Sequence, residues 1–176
     1  MAANEICQLS ALELAARIRA KQVSPVEVVD AVLARMDRLE PHLHAFCTPT
    51  PELARAEAKR IEQSIMRGDA IGALAGVPVS IKDLIFTKGI RTVSGCVAYR
   101  DFVPDEDDIV VERLKAADVI ILGKTNVSEL GYSAASHNPV FETTRNPWDL
   151  ARTSGGSSAG AAAAIATGMG PLAIGS

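Results

Sequence analysis

Two short stretches of this sequence carry side chains whose types and spacing could do chemistry. The first is Thr153-Ser154-Gly155-Gly156-Ser157-Ser158-Ala159-Gly160, which runs straight into Ala161 to Ala164. Glycines permit backbone angles closed to other residues. Hydroxyls held where a loop enters a helix lie beside unpaired N–H groups. A flexible Gly/Ser linker is the bland alternative, and it fits poorly. A linker is solvated at both ends, whereas this segment lies between Asn146-Pro147-Trp148 and an apolar helix. The second stretch is Gly76-Val77-Pro78-Val79-Ser80-Ile81-Lys82-Asp83, where Lys82 ends an apolar run. A lysine at a strand end can keep its amine in water. Alternatively it is buried, its pKa falls, and the neutral amine can act as a base. Sites of α/β proteins lie at the C-terminal ends of strands, which favours the second reading.

The elements that must position these groups can be read from capping and periodicity. Ser10-Ala11-Leu12-Glu13 and Ser24-Pro25-Val26-Glu27 are capping boxes, the second with proline at the first helical position. Val28, Val29, Val32 and Met36 recur at helical spacing, and Pro41 is expected to stop that helix. A third helix is expected from Thr50-Pro51-Glu52 to about Gly68. Val77 to Ile81 reads as a strand. Asp105 to Asp108 are expected to cap a helix carrying Val110, Val111, Leu114 and Ala117. Val119 to Leu122 reads as a fully apolar strand ending at Gly123, Ala159 to Met169 as a small-residue helix, and Pro171 to Gly175 as the next strand. Helices alternating with wholly apolar strands imply an α/β sheet covered on both faces.

Composition narrows the function classes. The formal charge of −3 over 176 residues, with signs mixed, offers no basic stripe for nucleic acid. The three cysteines (Cys7, Cys47, Cys96) lie far apart with no CxxC pair, which argues against a zinc site or a disulfide framework and suits the cytoplasm. The start of the chain carries Glu5 and no long apolar run, so it does not read as a signal peptide. From Thr153 to Ser176 no residue is charged, but Gly, Ala and Ser dominate and Pro171 interrupts the run, so no membrane span is expected. Gly123-Lys124-Thr125 resembles the tail of a phosphate-binding loop, yet Asp118 stands where that motif needs glycine. His42, His44 and His137 lack matching carboxylates or cysteines and read as solvated or turn residues rather than metal ligands. Trp148 reads as a packing anchor and Cys96 as a small buried hydrophobe.

Taken together, Lys82 in GVPVSIKD, Gly123-Lys124-Thr125-Asn126, Asn146-Pro147-Trp148-Asp149 and GGSSAG occur in the order and spacing of the amidase-signature serine hydrolases. The resemblance runs from about Leu9 to the last residue. It implies an α/β fold with a central mixed β-sheet covered by helices on both faces. It further implies a Ser–cis-Ser–Lys triad in which Lys82 is the lysine and Ser157 the cis-serine, while Gly155, Gly156 and Ser158 shape the loop that holds substrate. The family loop usually reads GGSSGG; Ala159 here is a modest departure if its φ stays negative. The family's nucleophilic serine follows the Gly175-Ser176 position, so the nucleophile is expected beyond Ser176. Residues 1–176 are then expected to be the N-terminal part of a single amidase domain, with a helical segment over about 9–68 and an α/β segment over about 72–176.

The resemblance implies hydrolysis of a small-molecule amide to an acid and ammonia or an amine through an acyl-enzyme, with no metal or organic cofactor. An alternative is the amidase component of a tRNA-dependent amidotransferase, acting on glutamyl-tRNA(Gln) or aspartyl-tRNA(Asn). Another, of a different class, is a non-catalytic fragment that keeps the fold. Neither direct contact with nucleic acid nor a membrane is expected, and assembly as a homodimer stays open.

Overall fold

Ser10 and Ser24 start the first long helices by the expected reciprocal bonds. Ser10 Oγ accepts from the Glu13 amide at 3.3 Å while Glu13 takes the Ser10 N–H at 2.9 Å. Ser24 Oγ accepts from Val26 N at 2.9 Å, and Glu27 takes the Ser24 N–H at 2.8 Å. Each pairing satisfies amides that a helix start leaves orphaned. The computed structural model describes residues 2–176. In chain order the elements are α1 (Ala3–Ile6), α2 (Ala11–Arg19), α3 (Pro25–Leu43), β1 (Phe46–Pro49), α4 (Pro51–Arg67), β2 (Pro78–Lys82), α5 (Ile109–Ala116), β3 (Ile120–Thr125), β4 (Arg145–Asn146), β5 (Asp149–Thr153), α6 (Ala159–Ala166) and β6 (Leu172–Ile174).

The central sheet is mixed, in the order β1-β3-β2-β6. β2 runs parallel to both β3 and β6, and β1 closes the edge antiparallel to β3. On one face, Val77, Ile120 and Leu122 join a large core with Leu14, Ile18, Val28, Val29, Val32, Ile61 and Ala163 from α2, α3, α4 and α6. On the other, Val79 and Ile81 pack with Val111 of α5. Helices therefore cover both faces, as the alternation of helix and apolar strand implies. β4 and β5 form a separate antiparallel hairpin.

Several local expectations are corrected. Pro41 does not stop α3; it sits in the last turn, and the helix ends at His44, whose φ is 52°. A proline removes a single bond there, and two further residues let Leu43 reach the core, where it is 3% exposed. Gly123 is not the end of β3 but a point inside it, at an irregularity in the β2–β3 register. Its φ is +140°, and a Cβ there would overlap the Thr48 carbonyl of β1, the usual meaning of glycine within a strand. Asp107 and Asp108 do not cap α5 with their side chains. Asp108 Oδ2 accepts from Phe86 N and Asp107 Oδ1 from Lys88 N, both at 2.7 Å, so these carboxylates hold the loop after β2. Ala117 is the cap residue after α5, not part of it. α6 ends at Ala166, where Thr167 Oγ1 turns back to the Ala163 carbonyl at 2.7 Å. β6 is only half-buried, because it pairs on one side alone.

Candidate active site

Lys82 is the last residue of β2, a strand buried along its whole length, and is itself 0% exposed. Its backbone is fixed by the β3 ladder, where Lys82 faces Thr125, and by the next residue, whose N–H donates to the Thr125 carbonyl at 3.0 Å. That next residue, Asp83, turns the chain out of the sheet. Its carboxylate accepts from Val93 N at 3.1 Å and its carbonyl from Ser94 N at 2.9 Å. Burial pushes the Asp83 carboxyl up to about 6, against the opposing pull of Lys124.

The GGSSAG loop enters from the other side, between β5 and α6. Gly155 has φ +89°, and the Gly156–Ser157 peptide is cis. The loop points Ser157 at the strand end: the Lys82 amine lies 2.7 Å from Ser157 Oγ. Ser158 Oγ donates to the Ser176 carbonyl and accepts from the Ser176 amide, each at 3.2 Å. Gly175 lies so near that a Cβ on it would stand 2.9 Å from Ser158 Oγ. Ala159 does not have a positive φ and is buried as the first residue of α6, so the departure from GGSSGG is accommodated. The expected loop residues Gly155, Gly156 and Ser158 thus surround the point where Ser157 meets Lys82.

The amine donates as well to Ser176 Oγ at 2.8 Å and to the Ser176 carbonyl at 3.3 Å. All three of these neighbours are serine oxygens. Burial lowers the Lys82 pKa, and no side-chain carboxylate opposes it. A neutral amine keeps two N–H bonds and gains a lone pair. It can donate to the Ser176 oxygens while accepting the Ser157 proton, which is what a base in this position must do.

Sequence reasoning passes over three parts of the site. One is Ser176. β6 lies in parallel register with β2, Ile174 opposite Ile81, so the residues just past both strands converge, and the shared pattern of apolar strand followed by polar residue is the available signal. The second is the segment 128–136. Gly131 lies close against Ser157 and Leu84: a Cβ there would be 3.9 Å from Ser157 Oγ and 2.6 Å from Leu84 Cδ1. A Cβ on Gly156 would press against the Ser133 and Ala135 carbonyls at 2.9 and 3.0 Å. These contacts join loops with no shared motif.

The third is the burial of Lys124, which the sequence offers only as a motif member and which is a second fully buried lysine. Its amine is held by the Ile85 carbonyl, by Thr87 Oγ1 at 3.1 Å and by Thr92 Oγ1 at 2.8 Å. Burial takes its pKa down to about 8. Gly123-Lys124-Thr125 therefore lies inside a strand, with its lysine amine bonded within the core rather than in a loop that opens a helix.

Other candidates stand apart from the site. Trp148 is 80% exposed at the tip of the β4–β5 hairpin, where Asn146 Oδ1 accepts its amide at 2.9 Å. It is not a packing anchor, since Asn-Pro at this point builds a turn. Cys96 is half-exposed rather than buried. His137 bonds Thr143 Oγ1 at 3.0 Å, and His44 caps α3. Among the described residues no group of three or more His, Cys, Asp or Glu is placed to share a metal ion, and no helix is long and apolar enough to cross a membrane.

The profile of the family described as Amidase matches residues 27–176. The A-type subunit of the glutamyl-tRNA(Gln) amidotransferase of Carboxydothermus hydrogenoformans is 44% identical over 172 residues, covering 98% of this chain and 36% of that protein. The chain thus spans about a third of the length of the curated relatives it matches. Among solved structures, a bacterial aryl acylamidase of the amidase-signature family superposes with a TM-score of 0.89 at 34% identity, over 94% of this chain and 34% of that one. Fatty acid amide hydrolase superposes with a TM-score of 0.94 at 26% identity, over 98% of this chain and 31% of that one. In sequence and in fold, this chain belongs to the amidase-signature family.

Proposed function

We propose that residues 1–176 form the N-terminal part of one amidase domain and contribute Lys82 and Ser157 to its amide-cleaving site. The observation that carries this reading is the 2.7 Å contact between a buried, pKa-lowered amine and the Ser157 hydroxyl. The neutral Lys82 amine takes the Ser157 proton, and Ser157 takes one from a nucleophilic serine located after Ser176. That serine attacks the amide carbonyl and gives an acyl-enzyme. The relayed proton leaves on ammonia or an amine, and water releases the acid. Ser158 and Gly155-Gly156 keep the relay hydroxyl aimed. The steps call on no metal or organic cofactor.

The names of the curated relatives favour one version of this reading over a free-standing amidase. Relatives at 41–44% identity are the A-type subunits of glutamyl-tRNA(Gln) amidotransferases. On this reading the amide cleaved is that of glutamine, and the ammonia passes to partner subunits. The likeness to the aryl acylamidase supports the second version, a free-standing enzyme acting on aryl or alkyl amides. The full-length protein separates them: ammonia release from glutamine, raised when partner subunits co-purify, supports the first. Turnover of simple anilides with no partner and no glutaminase activity supports the second. Silence on both, with or without Lys82, would leave a non-catalytic protein that retains the fold.

A further inference from the structure

Thr153 and Ser136 form a hydroxyl hub immediately behind the Ser157 loop. Their oxygens are 2.6 Å apart, and Ser136 is 0% exposed. Ser136 Oγ donates its proton to the Thr144 carbonyl at 3.1 Å, so in the short contact the Thr153 hydroxyl must be the donor. The two lone pairs of Thr153 Oγ1 then face the Gly155 amide at 3.3 Å and the Ser136 amide at 3.4 Å. Every hydrogen-bonding position of this hydroxyl is filled. The hub ties two loops that meet nowhere in sequence: the segment 133–136, whose Ser133 and Ala135 carbonyls close on Gly156, and the segment 153–157 that delivers Ser157. Ser154 N, bonded to the Thr144 carbonyl at 3.1 Å, anchors the same strand end.

We infer that Thr153, with Ser136, is a positioning residue that sets where Ser157 Oγ stands relative to the Lys82 amine. The inference rests on the reading of Lys82 and Ser157 as the proton relay. Thr153 touches neither reacting group. It holds Gly155, two residues before Ser157, and the loop against which Gly156 is pressed. A relay hydroxyl displaced by a few tenths of an ångström loses rate in the proton-transfer step while substrate binding is little changed.

The test uses the full-length protein and its amide substrate, with Thr153→Val, which keeps the shape and removes the hydroxyl, Thr153→Ser, which keeps the hydroxyl, and Ser136→Ala. The expected result is a fall in kcat of about 10- to 100-fold for Thr153→Val and Ser136→Ala, with KM within about threefold and similar melting temperatures. Thr153→Ser should return activity to within about threefold of wild type, and the Thr153→Val/Ser136→Ala pair should lose no more than the worse single variant. Wild-type kcat in Thr153→Val, equal loss in Thr153→Ser, or failure of both Thr153→Val and Ser136→Ala to fold would overturn the inference. Lys82→Ala and Ser157→Ala run alongside. If they stay active, the relay reading fails; if they are inactive while Thr153→Val is fully active, only the positioning role fails.

Discussion

The Lys82 amine and the Ser157 hydroxyl stand 2.7 Å apart although 75 positions separate them in the chain. One is fixed by the end of a central strand, the other by the entry to α6. Lys82→Ala is expected to lower kcat by about 10³-fold or more without loss of fold. Lys82→Arg should not restore it, because a guanidinium stays protonated. In the proposed relay the free amine is the working form, so the rate should rise with pH through the Lys82 pKa. Burial lowers that pKa, so the rise comes below the range of an ordinary lysine. Between the lowered value and the ordinary one the unfolded chain holds the extra proton, and stability therefore rises with pH in that window. A pH–rate profile with its rise at the ordinary lysine value would contradict a desolvated base.

Glu40 offers a second titration, away from the site. Its Oε1 accepts from Phe46 N at 2.8 Å, while its buried Oε2 has no partner. Burial raises its pKa to about 7, more than the amides of Phe46 and Ala45 lower it. A raised acid pKa contributes stability that is full below about 4.5 and is lost as pH rises through about 7. Glu40→Gln, neutral throughout, should match wild type near pH 4.5 and exceed it by about 1 kcal/mol near pH 8, discounted for partial exposure. Asp83 titrates in both proteins and cancels. Denaturation curves of the pair across this range test it, and a constant difference at all pH values would remove Glu40 as the source.

What the sequence makes legible follows from how local each signal is. The boxes at Ser10 and Ser24, the stop at Gly68 and the strand ending in Lys82 each depend on residues within a few positions, and the structure places them where that chemistry requires. Gly123 reads as a strand end because its partner, the Thr48 carbonyl, comes from β1, a four-residue edge strand with no alternation to announce it. Trp148 reads as buried from its type alone, and the Asn146 turn decides otherwise. In the site, Lys82 and Ser157 stand out by motif. Ser136 belongs to no motif, and Thr153 and Lys124 stand within motif stretches that do not announce their roles, because those roles are set by contacts between segments far apart in the chain.

Lys124 gives a stability prediction of its own. Its amine is bonded by the Ile85 carbonyl and by Thr87 and Thr92 hydroxyls, and so anchors the loop that follows Asp83. Lys124→Met would leave those oxygens short of a donor and the Asp83 carboxylate without the positive charge that favours its ionised form. The expected loss is about 2–3 kcal/mol at pH 7, read from the denaturant midpoint. The folded lysine has a pKa of about 8 against 10.5 for the free side chain. Across that interval the unfolded chain binds more protons, so wild-type stability should gain a rising component with pH. The Met variant should lack it. A Met variant as stable as wild type, with the same slope, would mean that the amine anchors nothing.

Gly160 tests how closely α6 must approach the sheet. A Cβ at this position would overlap the Ala45 carbonyl oxygen and the Asn126 nitrogen, both backbone atoms. Neither can yield cheaply. The Asn126 amide donates to Ala45 O at 2.8 Å, and the Gly160 amide to Asn126 O at 3.0 Å, so helix, β1 and the residue after β3 are locked into one ladder. The Asn126 side chain extends the lock by donating to the Glu142 carbonyl at 2.8 Å and Thr144 Oγ1 at 3.0 Å. Alanine normally favours a helix over glycine by about 1 kcal/mol, so propensity alone predicts that Gly160→Ala stabilises. Overlap with backbone reverses the sign: α6 must move outward, taking Ser157 and Ser158 at its start with it. The expected outcome is a loss of about 3 kcal/mol or more, together with loss of turnover in whatever fraction remains folded. Ala162→Ser on the exposed side of the same helix should change stability by less than about 0.5 kcal/mol. A Gly160→Ala protein as stable as wild type would show that α6 does not need backbone contact with the sheet to present Ser157.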